Sequence, residues 1–265
     1  KEATKLILKM TQSIDNMRVF HNFIKGELIS SARRNGGTSL LDIAVGRGGD
    51  LLKWYHNQYK TVVGFDPHSE SIDEARRRLK SHLNTNKKLP YIKYFTLDAL
   101  DNSLLSKLNN LEINIRGLES HTYDVVSCQF AFHYFANSLN TILSFISQKL
   151  KIGGIFIGTA SDGDTIQDLL KTGNVDTEVL KIEKVSEEKY TFNINTNSQN
   201  TYFDVQGVSH EYFLHKEKLI TVARIYNLHL LEIKSFRDWY SRFNGVMKED
   251  ECSISFLNFS FAFVK

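Results

Sequence analysis

The sequence predicts an α/β fold, a mostly parallel sheet with helices on both faces, and two observations carry that expectation. Apolar strand-like runs recur near 40–45, 61–66, 92–97, 123–129 and 154–160, with helical patterns such as 69–83 and 137–150 after most of them. Alternation of this kind builds βαβ units whose crossovers cover both faces of a sheet. The second observation is the passage 40–54, where Leu40-Leu41-Asp42-Ile43-Ala44-Val45 breaks into Gly46-Arg47-Gly48-Gly49 and resumes as a helix near Asp50. A glycine turn between strand and helix places a ligand pocket at the carboxyl end of the sheet.

Each element follows in order. Residues 4–32 carry Met17, Phe20, Phe23, Ile24, Leu28 and Ile29 at helical spacing, a helical preface with a buried stripe. The first strand and its loop come next, then a strand over 61–66 that ends in Asp66. Gly153-Gly154 turns the chain out of a helix into Ile155-Phe156-Ile157-Gly158. Beyond about 174 the texture changes: 178–184 and 189–194 alternate like antiparallel strands, and 193–200 is polar and turn-rich. A helix over 216–226, a strand over 228–233, a short aromatic helix over 236–243 and a final strand over 254–264 complete the sheet. The chain thus reads as one domain with a helical segment 1–35, a core 36–174, an insertion 175–207 and a completing part 208–265. It begins at Lys1, which suggests excision from a longer chain.

At 265 residues the chain can bury a substantial core. Two cysteines, Cys128 and Cys252, exclude a disulfide framework or a four-cysteine zinc site and point to a reducing, cytoplasmic setting. No apolar run approaches the roughly 20 residues that span a bilayer, and no membrane partner is expected. Net charge is only +3, so composition does not announce a nucleic-acid binder; the cluster Arg76-Arg77-Arg78 matters more, although such runs are usually solvated helix faces.

The glycine pattern separates two cofactor classes. A dinucleotide loop has a third glycine where this chain has Leu51, and that glycine allows close helix packing beside a pyrophosphate. S-adenosylmethionine (SAM) has a ribose but no pyrophosphate, and its sulfonium and ammonium suit an acidic wall such as Asp42 and Asp66. Gly46, Gly48 and Gly49 would let the backbone approach the donor, and Asp66, 20 residues beyond Gly46, would take the ribose hydroxyls. The alternative is an ordinary tight turn in an α/β domain without a nucleotide.

A second constellation follows the strand Tyr123-Asp124-Val125-Val126, in Ser127-Cys128-Gln129-Phe130-Ala131-Phe132-His133-Tyr134-Phe135. Strand exits face the ligand crevice, so Gln129, His133 and Tyr134 should share it with Gly46 and Asp66. Aromatic rings stack on a planar base, and a histidine can serve its carbonyl or ring nitrogen. Alone, each is more often a structural hydrogen-bonder; their concentration at one strand end carries the weight. Cys128 as a nucleophile lacks an activating neighbour in sequence, and His210 with His215 lacks metal-ligand spacing, so no metal is expected.

These motifs, with Phe20-His21-Asn22-Phe23-Ile24-Lys25, Gly153-Gly154-Ile155-Phe156-Ile157-Gly158-Thr159 and Glu211-Tyr212-Phe213-Leu214, resemble the messenger-RNA cap guanine-N7 methyltransferases, in particular the methyltransferase domain of large-DNA-virus capping enzymes. The resemblance covers most of the chain. It implies a Rossmann-like class I SAM-dependent methyltransferase fold with a mostly parallel seven-stranded sheet, S-adenosyl-L-methionine as cofactor, and capped RNA (a GpppN 5′ end) as acceptor. It further implies other capping-enzyme domains or a stimulatory subunit as partners.

By motif position, Lys25 resembles the residue that meets the donor carboxylate, Gly46 the methionine contact, Asp66 the ribose acid and Asp98 the acid on the adenine amine, with Gln129 and Tyr134 also at the donor. His133, Tyr134 and Glu211 resemble the guanine-binding set. Asn22, Arg47, Lys53 and Arg78 resemble the polar and basic residues near the cap ribose and triphosphate. Asn258 stands where the family has its last guanine-edge tyrosine.

Guanine N7 has a free lone pair, so the implied chemistry needs no general base, only N7, methyl and sulfur held in line. Two rivals share parts of this pattern. One is a methyltransferase on another acceptor, which would not need His133, Tyr134, Glu211 and Arg47 together; the other is a catalytically silent cap-binding or stimulatory module.

Overall fold

A computed structural model describes residues 15–34, 36–85, 88–116, 118, 121–194 and 207–265. Helix α1 (Asp15–Arg34) precedes a βα series: β1 (Ser39–Ile43), α2 (Leu51–His56), β2 (Thr61–Asp66), α3 (Ser69–Leu83), β3 (Tyr91–Thr96), α4 (Leu104–Glu112) and β4 (Tyr123–Gln129). A 3₁₀ turn (Phe132–Ser138) leads into α5 (Leu139–Lys149), β5 (Leu150–Ser161) and α6 (Gly163–Leu170). Four short strands follow: β6 (Val175–Asp176), β7 (Leu180–Lys184), β8 (Lys189–Ile194) and β9 (Ser209–Tyr212). The chain closes with α7 (Lys216–Ile225), β10 (His229–Ser235), α8 (Phe236–Tyr240), α9 (Glu249–Ser255) and β11 (Asn258–Val264).

The large sheet has seven strands in the order β10-β11-β5-β4-β1-β2-β3. Strands β1 to β5 are mutually parallel, and β11 runs antiparallel to both neighbours. Chain order reverses between β1 and β4, which opens a crevice at their carboxyl ends. Successive side chains alternate faces. Leu40, Val62 and Val125 pack with Met17, Phe20 and Ile24 of α1 on one side, and Leu41, Val63 and Val126 pack with Ile142 and Ile146 of α5 on the other. The expected N-terminal stripe is therefore buried from Met17 to Ile29, with Phe23 half-buried. Each such apolar side chain contributes about 1.5–3 kcal/mol. The expected helical residues 4–14 lie outside the described residues.

The antiparallel sheet β6-β7-β8-β9 extends past the expected insertion, because Ser209–Tyr212 pairs with β8. The structure corrects several boundaries. Residues 254–255 are helical rather than strand: α9 starts with Glu249, Asp250 and Glu251, acids favoured at a helix N-terminus, and Glu251 accepts from the Lys248 amide at 2.9 Å. The helix expected over 137–150 begins at Leu139, since 3₁₀ geometry runs through Ser138, and Leu150 already belongs to β5. No helix among the described residues is long and apolar enough to cross a membrane.

Candidate active site

The loop after β1 bends through three left-handed residues, Ala44 (φ 56°), Gly46 (φ 52°) and Gly48 (φ 68°). A Cβ at Gly48 would lie 3.1 Å from both the Ala75 Cβ and the Tyr94 hydroxyl, so the left-handed φ favours glycine and the tight space adds to the cost of any side chain. Gly49 differs from expectation. Its backbone is not left-handed, and a Cβ there would meet nothing within 4 Å, so neither strain nor crowding calls for glycine. Asp66, at the tip of β2, accepts from the Gly46 amide and from the His68 amide, each at 3.0 Å. One carboxylate thus ties the second strand to the glycine loop; His68 Nδ1 also lies 3.2 Å from its Oδ1, and Oδ2 retains a further lone pair.

Beneath the loop lies a cluster of opposite charges. Asp50, buried at the head of α2, takes Lys25 at 2.8 Å and Lys53 at 2.9 Å on one oxygen, and Lys53 also donates to Asn22 Oδ1 at 2.8 Å. Burial opposes the charge on Asp50, but the two lysines outweigh it and hold the carboxyl at about 2. Asp42 on β1 has no such partner. Burial first and the Asp50 charge second push it up to about 8, against a weaker hydrogen bond with Ser127 and the charge of Lys25. Its Oδ1 is buried without a hydrogen bond, as is the nearby Tyr94 hydroxyl. A cationic ligand suits such a wall: unpaired buried acceptors gain most from a positive partner. Lys25, Asp42, Gly46 and Asp66, with the Gly48 cradle, therefore fit SAM.

Gln129 ends β4 beside β1 and β5, in register with Thr159. Its amide nitrogen donates to Ser127 Oγ and its oxygen accepts from Thr159 Oγ1, both at 3.2 Å. Phe130 then takes φ 57°, a strained conformation for an aromatic residue. Its amide donates to Thr159 Oγ1 at 2.8 Å, and its ring stacks on the buried His21 at 4.8 Å. This bend delivers His133 and Tyr134 to the ends of β4 and β5.

There a second buried group assembles. His133 Nδ1 accepts from the Ser161 amide at 3.3 Å, which leaves the ring proton on Nε2. That nitrogen stands 3.5 Å from Glu211 Oε2, too far for a formed hydrogen bond. Burial lowers the His133 pKa despite the Glu211 charge, so the ring is neutral and keeps a poised N–H donor. Glu211 of β9 accepts from Ser161 Oγ at 3.0 Å and from the Tyr190 hydroxyl at 2.6 Å. Tyr134 shares a hydrogen bond with Ser209 Oγ at 3.0 Å, and burial, then the Glu211 charge, raises its phenol to about 12.

The remaining expected residues sit around these two groups. Asp98 is exposed beyond β3 and accepts from the Leu100 amide at 2.9 Å. Arg78 donates to Glu74 at 2.9 Å, and the half-buried Arg47 feels the same carboxylate. Asn258 pairs with Ser161 across β11 and β5, but its amide donates to the Ser255 carbonyl at 3.1 Å and so caps α9. Sequence reasoning missed Asp50, Ser161 and Tyr190. Asp50 was legible as an acid three residues before Lys53; Tyr190, one aromatic in an alternating strand, carried no signal.

The mRNA (guanine-N(7))-methyltransferase domain model matches residues 2–254. The chain belongs to that family. Among its relatives, an mRNA cap guanine-N(7) methyltransferase of Drosophila melanogaster is 29% identical over 84% of this chain and 55% of its own length. A probable mRNA-capping enzyme of Acanthamoeba polyphaga mimivirus is 32% identical over 64% of this chain and 16% of its own. The chain thus spans about half of the one and a sixth of the other. A SAM-dependent methyltransferase from Clostridium acetobutylicum shares the fold, with TM-score 0.55, 15% identity, and coverage of 92% of this chain and 90% of that one.

Proposed function

We propose that this domain of the family transfers a methyl group from SAM to N7 of the guanine in a GpppN cap. The observation that carries the proposal is the buried pair of His133 and Glu211, one a neutral N–H donor and the other a carboxylate acceptor, beside an acid-lined donor pocket. Guanine presents O6 as an acceptor next to N1–H and the 2-amino group as donors, and the pair complements that edge in polarity. Bound SAM supplies an electrophilic methyl group, and N7 needs no deprotonation. The residues therefore bind and align. Lys25 would meet the donor carboxylate, Asp66 the ribose, Asp98 the adenine amine, and Gln129 the strand-end side of the donor. Tyr134 would cover the base, and Glu211 would stabilise the positive charge that grows on the ring. Alignment of this kind supplies roughly 7–11 kcal/mol without an acid or a nucleophile.

Arg47 and Arg78, gathered about Glu74, and Lys53 with Asn22, gathered about Asp50, supply positive charge for the cap ribose and triphosphate. The mimivirus relative, which extends far beyond the matched region, supports a place beside other capping domains or a stimulatory subunit, and a viral origin. A cytoplasmic site of action completes the proposal, checked by fractionating the producing cells. The decisive experiment supplies labelled SAM and GpppG-capped RNA, then locates the methyl group by nuclease digestion. Label on guanine N7, lost in Glu211→Ala and Asp66→Ala, is expected; label elsewhere, or donor binding without transfer, would overturn the proposal.

A further inference from the structure

We propose that Tyr190, on the small antiparallel sheet, is a positioning residue that works with Ser161 to set the direction of the Glu211 carboxylate and hence the selectivity for the amino edge of guanine. This rests on the function proposed above and deepens it. Glu211 is buried, and among the described residues no lysine or arginine pairs with it; its only ion-pair neighbour is the neutral His133 at 3.5 Å. A carboxylate in such a place is held by hydrogen bonds or not at all. Two hydroxyls meet this need, and both converge on Oε2: Tyr190 at 2.6 Å and Ser161 at 3.0 Å.

The two donors come from different sheets. Ser161 is the last residue of β5, and Tyr190 lies on β8 directly across from Glu211 in the β8–β9 register. Glu211 is therefore clamped between the large sheet, which carries Ser161, and the small one. Tyr190 is fully buried, with its ring 4.8 Å from that of Phe213, so its hydroxyl has a fixed position. Burial and the Glu211 charge push its phenol well above the ordinary value, which keeps it a donor. With Oε2 engaged by protein hydroxyls, Oε1 is the oxygen that receives N1–H and the 2-amino group, since one carboxylate oxygen can accept two hydrogen bonds. Without the Tyr190 hydroxyl the carboxylate turns, and the base loses its acceptor while the donor pocket stays as it was. The small sheet is thus a working wall of the acceptor site.

The test compares the full chain with Tyr190→Phe and Ser161→Ala, using RNA capped with guanosine or with inosine, which lacks the 2-amino group. Wild type should prefer the guanosine cap. Tyr190→Phe keeps the ring and should lose about tenfold of that preference, the size of one hydrogen bond to a charged group. The loss should come through KM for capped RNA, with an unchanged dissociation constant for SAM and a thermal midpoint lowered by only a few degrees. Ser161→Ala, which removes the longer of the two bonds, should move the same ratio less, and it reads the arrangement even where Tyr190→Phe does not fold. An unchanged guanosine-to-inosine ratio in both variants, or equal losses on both caps with weakened SAM binding, would overturn the inference while leaving the proposed reaction in place. A wild-type chain that methylates neither cap would overturn the reaction itself.

Discussion

Replacing Asp42 with asparagine should make the fold more stable as pH rises, although an acid is being removed from a strand beside the donor pocket. The carboxyl is raised from 3.8 to about 8, chiefly by burial and then by the charge of Asp50. An acid whose pKa rises on folding keeps its proton in the native state while the unfolded chain releases it. The resulting cost is absent below about pH 4, grows as pH rises, and levels off above pH 8. At 1.36 kcal/mol per pH unit, the full gap amounts to about 6 kcal/mol at alkaline pH. Urea unfolding of wild type and Asp42→Asn from pH 4 to 9 should give curves that separate steadily, with the variant ahead by several kcal/mol at pH 9. The same carboxyl predicts a proton released on donor binding: a cation beside Asp42 favours its ionised form. Titration calorimetry with SAM at pH 7, in two buffers of different ionisation enthalpy, should show close to one proton released by wild type and much less by the variant. Parallel unfolding curves together with buffer-independent heats would refute this account of Asp42.

Three further outcomes follow from the geometry. Gly48→Ala should destabilise by about 1–2 kcal/mol, from φ 68° and the 3.1 Å approach to Ala75 and Tyr94, and should weaken SAM binding more than cap binding; denaturation and ligand titration check both parts. Asp50→Asn leaves Lys25 and Lys53 without their shared carboxylate. Because Asp50 is held at about 2, wild type should lose this contribution as pH falls from about 4 through 2, and a pH series of melting midpoints should show that step missing in the variant. Affinity for capped RNA should fall steeply with added salt while affinity for SAM changes little, as measured by fluorescence titration between low and physiological ionic strength.

The donor half of the site was the more legible. A glycine turn after an apolar run, with an acid 20 residues on, is a local pattern with a mechanical meaning, and the structure gives that acid a direct bond to the Gly46 amide. The strand exit was legible for the same reason, because side chains that leave a parallel strand at its carboxyl end have one crevice to enter. What local pattern could not show is how charges are shared. Lys53 reads along the chain as a free cation for phosphate, yet in the fold it leans on Asp50 and Asn22. The helix Glu249–Ser255 was hidden because its apolar end, Ile254, runs through Phe256 and Leu257 into the apolar final strand, whereas the acids that start the helix sit five residues before Ile254.

Tyr190 marks the limit of reading by sequence, since nothing within several residues of it differs from an ordinary core strand. Its role comes from a register: β8 runs antiparallel to β9, and opposite Glu211 that pairing places a phenol where a one-residue slip would put Lys189 or Thr191. Register between strands separated by a connection of this length is a property of the folded chain. A residue of this kind is found by asking what holds a buried carboxylate that has no cation. In Glu211 the answer is two hydroxyls, and their loss should be read in which base the site prefers, before it is read in whether the protein folds.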